Sequence, residues 1–352
     1  MTETEILSLF EQLTNPAFLV KKDQIVYANH AAQQRQFNIG DHITPYLADY
    51  AEEYEKLENG DLHLQLKQND TVFCACVSCI QDGHLFILDS EYTGTELATL
   101  ATTAQHLRDP LCDAMATANA LIADANEVQQ AHLQTLTKSL YRLQRTILNM
   151  ADAGAYEQKR KKRITLVDIN QFLLELTDKV STLAEATGIC ISYKQIHDIV
   201  FTYVDEEKLE RGLLNLISNA MKFSQKDGRV EISLTQSQNK LYITVQDFGC
   251  GLSKAAKGNL FQRYLRQPGI EDARSGSGLG LTIARSAAIA HDGTLLATEN
   301  PDGGVSFTIS IAKISPKGGV LRSPVMFPVD YAGGYDHALL ELSDVLPASL
   351  YE

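Results

Sequence analysis

The chain has 352 residues, with 44 Asp+Glu against 31 Lys+Arg and a net charge of −13; at ~100–200 residues per domain it has room for two or three cores. The negative balance argues against non-specific nucleic-acid binding as the main task, and a composition of 44% hydrophobic and 21% charged residues against a mostly disordered chain. No apolar run approaches the ~20 residues of a membrane-spanning helix, and the opening MTETEILSLF lacks the basic n-region of a signal peptide, so the expectation is a cytoplasmic protein with reduced thiols and no membrane insertion.

Residues 1–92 alternate short strand-like runs with turns. Ala17–Val20 and Ile25–Ala28 flank the polar turn Lys21–Gln24 and predict a β-hairpin. A polar, helix-favouring stretch runs to about Glu58. The runs Leu62–Lys67, Thr71–Ile80 and Leu85–Leu88 then predict three strands, with turns at Asn69-Asp70 and Asp82-Gly83. With the phrase "NPAFLV…IVYAN", this order of two strands, helices and three strands resembles a PAS sensor domain. Cys74, Cys76 and Cys79 form C-x-C-x-x-C in an apolar run. Both a metal or redox site and a buried strand with Cys as a small hydrophobe fit this spacing. The strand is favoured, because no second Cys or His pair completes four ligands, although His84 is close in sequence.

Residues 93–156 change period. Leu97, Leu100, Ala104, Leu107, Leu111, Ala114, Ala118 and Leu121 recur in steps of three and four, an a/d seam on one helix. Asp124–Glu127 breaks the pattern. Leu133, Leu136, Leu140, Leu143, Ile147 and Met150 then make a second seam. One helical hairpin buries two seams poorly; two copies make a four-helix bundle, so this segment predicts a homodimer. The basic run Lys159–Arg163 reads as a solvated linker.

Residues 163–313 alternate strand and helix signals and predict an α/β sandwich with a mixed or antiparallel sheet. Helical periodicity covers Asp168–Ala186, Asp205–Phe223 and Gly280–His291. Strand signals cover Arg229–Thr235, Lys240–Gln246, Thr294–Thr298 and Val305–Ile311. Four boxes stand in order. On the second helix, Asn215-Leu-Ile-Ser-Asn219-Ala-Met-Lys222 puts two amides at i, i+4 on one face. A side-chain carbonyl there suits Mg²⁺, and Lys222 is placed to meet a phosphate as a point charge. Asp247-Phe-Gly249-Cys-Gly251 follows a strand; its carboxylate accepts hydrogen bonds, as from an exocyclic amine, and its glycines allow close backbone approach. Phe261-Gln-Arg263-Tyr-Leu-Arg266 is aromatic and basic. Gly276-Ser-Gly278-Leu-Gly280 opens a helix, where backbone N–H groups and the helix dipole favour phosphate.

Together these boxes resemble the N, G1, F and G2 boxes of the histidine-kinase ATPase domain, a fold shared with gyrase, Hsp90 and MutL proteins. The resemblance implies ATP and Mg²⁺ as cofactors. It assigns Asn219 to the metal, Asp247 to adenine and Lys222 to phosphate, and gives Asn215, Gly249 and Gly251 supporting roles. Gly276, Gly278 and Gly280 form the ATP lid, with Arg266 and Arg274 as further lid candidates. With the PAS-like segment and the hairpin, the whole is an α+β multidomain chain similar to a sensor histidine kinase of a two-component system, whose partner is a response-regulator receiver domain.

The phosphoacceptor box departs from that family. Its His-Glu-Leu-Arg-x-Pro-Leu becomes Gln105-His106-Leu107-Arg108-Asp109-Pro110-Leu111. Gln105 occupies the acceptor position, and a one-residue shift turns a side chain by ~100° about the helix. Two readings stay open. In one, His106 accepts phosphate with Asp109, at i+3 on the same face, as orienting base. In the other, the hairpin is not phosphorylated and the chain is a pseudokinase acting as an ATP-gated scaffold or partner switch. A serine-kinase anti-sigma factor of the same ATPase fold is disfavoured by the heptad hairpin. Residues 314–352 form an extension whose leucines and aromatics predict docking on the ATPase domain.

Overall fold

A computed structural model describes residues 13–69, 71–80, 83–89, 94–122, 125–155, 163–196, 198–252, 279–314 and 332–351. The first unit orders its strands β2-β1-β5-β4-β3: β1 (Ala17–Lys21), β2 (Gln24–Ala28), β3 (Asp61–Gln68), β4 (Thr71–Ile80) and β5 (Gly83–Leu88), with short helices α1 (His30–Gln34), α2 (Thr44–Leu47) and α3 (Ala51–Glu55) between β2 and β3. Lys22 and Asp23 both have positive φ, the backbone a two-residue hairpin turn needs. Asn29 closes α1: its side-chain oxygen accepts from Ala32 N and Ala17 N. Phe18 stacks between Phe37 and Phe86, with centroids 4.9 Å apart on each side, and this trio centres a core of Leu62, Leu64, Leu66, Ala75 and Val77. Strand alternation turns Asp61, His63, Cys74, Cys76 and Ser78 to the opposite face.

Helices α4 (Gly94–Ile122) and α5 (Glu127–Ala155) form the hairpin. Asn126 and Gln129 cap α5 reciprocally, each side chain accepting from the other's backbone N–H at 3.0 Å. The two heptad positions part company. Ala104, Leu111, Ala118 and Ile147 are buried, whereas Leu107, Leu121, Leu136 and Leu143 are 45%, 55%, 47% and 50% exposed. A single hairpin covers one half of each seam and leaves the other as a leucine stripe.

The third unit contains β6 (Ile164–Asp168), α6 (Ile169–Ala184), β7 (Cys190–Lys194), β8 (Phe201–Asp205), α7 (Glu206–Phe223), β9 (Arg229–Gln236), β10 (Lys240–Asp247), α8 (Gly280–Ala290), β11 (Leu295–Glu299) and β12 (Val305–Ala312). Its sheet is β11-β12-β10-β9-β7, antiparallel except for the parallel pair β7/β9; β6 and β8 pair separately. Strands β6, β7 and β8 were not legible in the sequence pattern. β3 hydrogen-bonds to β11 (Leu62 opposite Leu296, Asp61 opposite Ala297), so the first and third units share one ten-stranded sheet. Ionic contacts reinforce the seam. Lys240 pairs with buried Glu53, donates to Asp49 O at 3.0 Å and sits over the Tyr50 ring. Arg285 Nη1 meets Asp89 Oδ2 at 2.9 Å.

The expected docking of the C-terminal extension is seen for residues 332–351. Helix α9 (His337–Glu341), capped by Asp336, inserts Glu341 between α5 and α7. Glu341 is 0% exposed; Arg211 Nε donates to its Oε1 at 3.1 Å, and Arg145 Nε and Asn215 Nδ2 donate to its Oε2 at 3.1 and 3.0 Å. Asp344 takes Arg142 and Arg145, each at 2.9 Å. Burial opposes charge on Asp344, but these guanidiniums hold its carboxyl below the usual range. Tyr141 packs edge-on against Tyr335 and Tyr351.

Removing Glu341 would leave two guanidiniums buried without their shared carboxylate, a change worth about 3–5 kcal/mol. Glu341→Ala should lower the melting temperature and open residues 332–351 to protease, while Glu341→Gln, which keeps the shape, should lose less. Calorimetry and limited proteolysis check both; unchanged melting of Glu341→Ala would contradict the ion-pair account.

Candidate functional site

The site lies where three elements of the third unit end. β10 delivers Asp247 at its last position, held by pairing with Val230 on β9. The carboxylate is buried, and its Oδ1 accepts from Gly249 N at 2.9 Å. Asn300, just after β11, donates to the Asp247 carbonyl at 3.1 Å and accepts from Ser306 Oγ at 2.6 Å. Two glycines are required by close approach. A Cβ on Gly249 would lie 2.0 Å from Phe223 O, and one on Gly304, whose φ is +83°, would lie 2.1 Å from Asp247 O. No side chain fits at either place. Gly304, and Asn300 in its turn, are site residues that the four sequence boxes did not include.

Asn219 lies on α7 and is partly exposed. Gly280, the first residue of α8, faces it: a Cβ there would come within 3.6 Å of the Asn219 amide. The N-terminus of α8, where backbone N–H groups have no intrahelical partners, thus opens beside Asn219. Lys222 stands one turn further, partly buried, with its ammonium 5.6 Å from the Phe223 ring centroid. Phe223 O in turn abuts Gly249, so the end of α7 and the glycine box are in contact. Gly251 has φ +71°, and Leu252 N donates to Glu299 Oε1 at 3.3 Å. Arg229 lies over the Phe248 ring at 3.9 Å.

Asn215 has a different environment from Asn219. It is fully buried; its Oδ1 accepts from Arg145 Nη2 at 2.9 Å, and its Nδ2 donates to Arg211 O and Glu341 Oε2. Both amide atoms join the network that holds the C-terminal segment, and its Oδ1 also lies 3.2 Å from where a Cβ on Gly280 would be. Gly276, Gly278, Arg266 and Arg274 lie outside the described residues. His106 and Asp109 are exposed on α4, as is Gln105, and Arg108 Nη2 lies 3.4 Å from where a Cβ on Gly333 would be.

A buried carboxylate that accepts hydrogen bonds, a partly exposed side-chain amide carbonyl and a helix N-terminus are the chemistry of a purine, a hard cation and a phosphate chain. Residues 204–314 match the family of histidine kinase-, DNA gyrase B- and HSP90-like ATPases. Over 216 residues the chain is 30% identical to the sensor histidine kinase RppB of Synechocystis sp., covering 60% of this chain and 48% of that protein. Over 204 residues it is 31% identical to the sensor histidine kinase TmoS of Ectopseudomonas mendocina, covering 57% of this chain and 20% of the relative. The chain therefore spans less than half the length of these curated relatives. In fold it is similar to full-length ShkA solved with AMPPNP, at 22% identity and a TM-score of 0.50, covering 64% of this chain and 47% of that one.

Burial pushes the Asp247 carboxyl above its ordinary value, with the Gly249 and Val305 amides pulling it back. The fold therefore favours the protonated acid, and this contribution is lost as pH rises through the raised value. Asp247→Asn removes that titration. The variant should melt higher than the parent near about pH 8, with the gap closing as pH falls toward 3.8, which calorimetry across that range checks.

Proposed function

We propose that this chain, which carries a histidine-kinase-type ATPase domain, is a sensor histidine kinase of a two-component system. It binds Mg-ATP, moves the γ-phosphoryl group to His106 and passes it to the receiver domain of a response regulator, working in the cytoplasm. The observation that carries the reading is a chain of close approaches: buried Asp247 is joined through Gly249 to the end of α7, and partly exposed Asn219 on that helix faces Gly280 at the start of α8. In this reading Asp247, with Gly249 and Gly251, takes the adenine, Asn219 the metal and Lys222 the phosphates, and residues 276–280 cover them. The proposed division is 1–92 for PAS-like sensing, 93–156 for dimerisation and phosphotransfer, 163–313 for ATP and 314–352 as a strap.

The leucine stripe of Leu107, Leu121, Leu136 and Leu143 supports a second copy of the hairpin as its cover, since exposed leucines in heptad register are stabilised by meeting their own kind across a bundle axis. The stripe runs past the turn that bears His106. One observation favours the alternative of a pseudokinase: Gln105, which has no nucleophilic nitrogen, stands where the family has its histidine.

Asp247→Ala should weaken Mg-ATP binding by about 10–100-fold, the cost of losing a hydrogen bond to a charged group, and Asn219→Ala should remove the Mg²⁺ dependence; calorimetry reads both. With radiolabelled ATP the protein should acquire acid-labile phosphate that vanishes in His106→Ala. Label that appears only in the double variant Gln105→His, His106→Glu would instead establish the pseudokinase. Leu107→Asp with Leu143→Asp should give monomers in light scattering.

A further inference from the structure

Of the cysteines on β4, Cys79 stands opposite His84 in the register, but the cluster of possible ligands forms elsewhere on the sheet. His84 faces the Tyr54 hydroxyl at 2.9 Å. Instead, the second face of the first unit's sheet, the one turned toward the ATPase domain, brings together His63 of β3, Cys74 of β4 and Asp89 just after β5. One ligand atom from each lies within 4.8 Å of the others. The strand register makes this a built arrangement. Asp89 N donates to Cys74 O at 2.9 Å, His63 pairs across with Cys76, and His63 Nε2 lies 3.6 Å from Asp89 Oδ2. His63 is buried, while Cys74 and Asp89 are partly exposed, which leaves a path from solvent.

We propose that His63, Cys74 and Asp89 bind a thiophilic divalent cation of the Zn²⁺ class at the seam between the sensor-like unit and the ATPase domain. One imidazole, one thiolate and one carboxylate suit zinc and its neighbours; magnesium and calcium select all-oxygen sets. Three protein ligands leave a fourth position for water. Ligand bonds of about 2.0–2.3 Å require the farthest donors to approach by roughly 1 Å, within reach of the two partly exposed side chains. Binding takes the Cys74 thiol to thiolate and releases one proton to solvent.

The competitor is Arg285, whose guanidinium holds Asp89 at 2.9 Å. The cation and Arg285 compete for one carboxylate, so ion binding loosens this tie between the sensor-like unit and α8. Helix α8 starts at Gly280 beside Asn219, and Asp89 stands five residues before Gly94, where α4 begins. The ion thus acts on a side chain that contacts Arg285 of α8 and lies just before the hairpin in the chain. That it serves as the input signal rests on the kinase reading above; the site itself does not.

The test uses the full chain without nucleotide and Co²⁺ as a spectroscopic probe, with Zn²⁺ displacing it. The expected result is one equivalent bound, with a thiolate-to-cobalt charge-transfer band that Zn²⁺ abolishes. The band should disappear in Cys74→Ser, and His63→Gln and Asp89→Asn should each weaken binding by at least about tenfold. A variant with Cys190→Ser and Cys250→Ser, the two exposed thiols, should keep the band. Absence of the band in the wild-type chain, its persistence in Cys74→Ser, or its loss when the exposed thiols are removed would overturn the proposal. Cys74→Ser changes one partly exposed atom, so the fold is retained even if His63→Gln loosens the seam. Because no ATP is present, failure here is distinct from failure of the kinase reading.

Discussion

The placement of the hairpin, the ATPase helix and the C-terminal segment depends on one carboxylate. Glu341 has no solvent contact, and its two oxygens are filled by Arg145 from the hairpin and by Arg211 and Asn215 from α7. A lone carboxylate in such a place would be costly by several kcal/mol. Complete coordination offsets that cost without adding a large surplus. What the network supplies is position: displacing any one element leaves a buried charge uncompensated, so competing arrangements of the three are strongly disfavoured. Arg211 extends the tie by donating to Asn149 at 3.2 Å, five residues beyond Gln144, which donates to Ala332 O.

The opposite edge of the ATPase sheet is held by another device. An edge strand exposes unpaired backbone groups and invites misassembly; here β11 is covered by β3. Backbone pairing alone tolerates register slips. The Lys240–Glu53 pair, to which Ser310 Oγ also donates at 3.1 Å, and the Arg285–Asp89 pair fix the register, because each is buried on at least one side and fails if the strands slide. Strand pairing supplies cohesion and the ion pairs supply register.

Much of this was legible in the sequence wherever the determinant was local. Alternation marked β1–β5, the three-four spacing marked α4 and α5, and the Asp-x-Gly-x-Gly box marked Asp247, whose glycines the structure shows to be sterically required at Gly249. Strands β6 and β8 escaped because their last residues, Asp168 and Asp205, cap the helices that follow and read as helix starts. Long-range partners escaped for a different reason. Glu341 and Arg145 are 196 positions apart, and Glu341 looks like an ordinary surface acid in an amphipathic run. Asn215 shares a helix face and a box with Asn219, yet the first is buried in the tail network and the second is partly exposed. His63 read as one residue of a strand, since alternation says which face it takes and not what covers that face.

Held at both edges, the ATPase domain has few ways to respond to a change in the first unit. A large rotation would break the backbone pairing of β3 with β11 and the Glu341 network together. Changes confined to side-chain ion pairs are cheaper. Arg285–Asp89 has one partly exposed partner, and Arg142–Asp344 is exposed on the arginine side, so each can open with partial compensation from water, whereas Glu341 cannot. The first adjoins α8, whose start faces Asn219; the second adjoins α5 and, through Asp344, the field of Lys222. Beside them, β11 continues directly into Asn300, which holds the Asp247 carbonyl. The structure thus pairs rigid, fully buried ties that set geometry with half-exposed ties that can switch, and the half-exposed ones border the surroundings of Asn219 and Lys222.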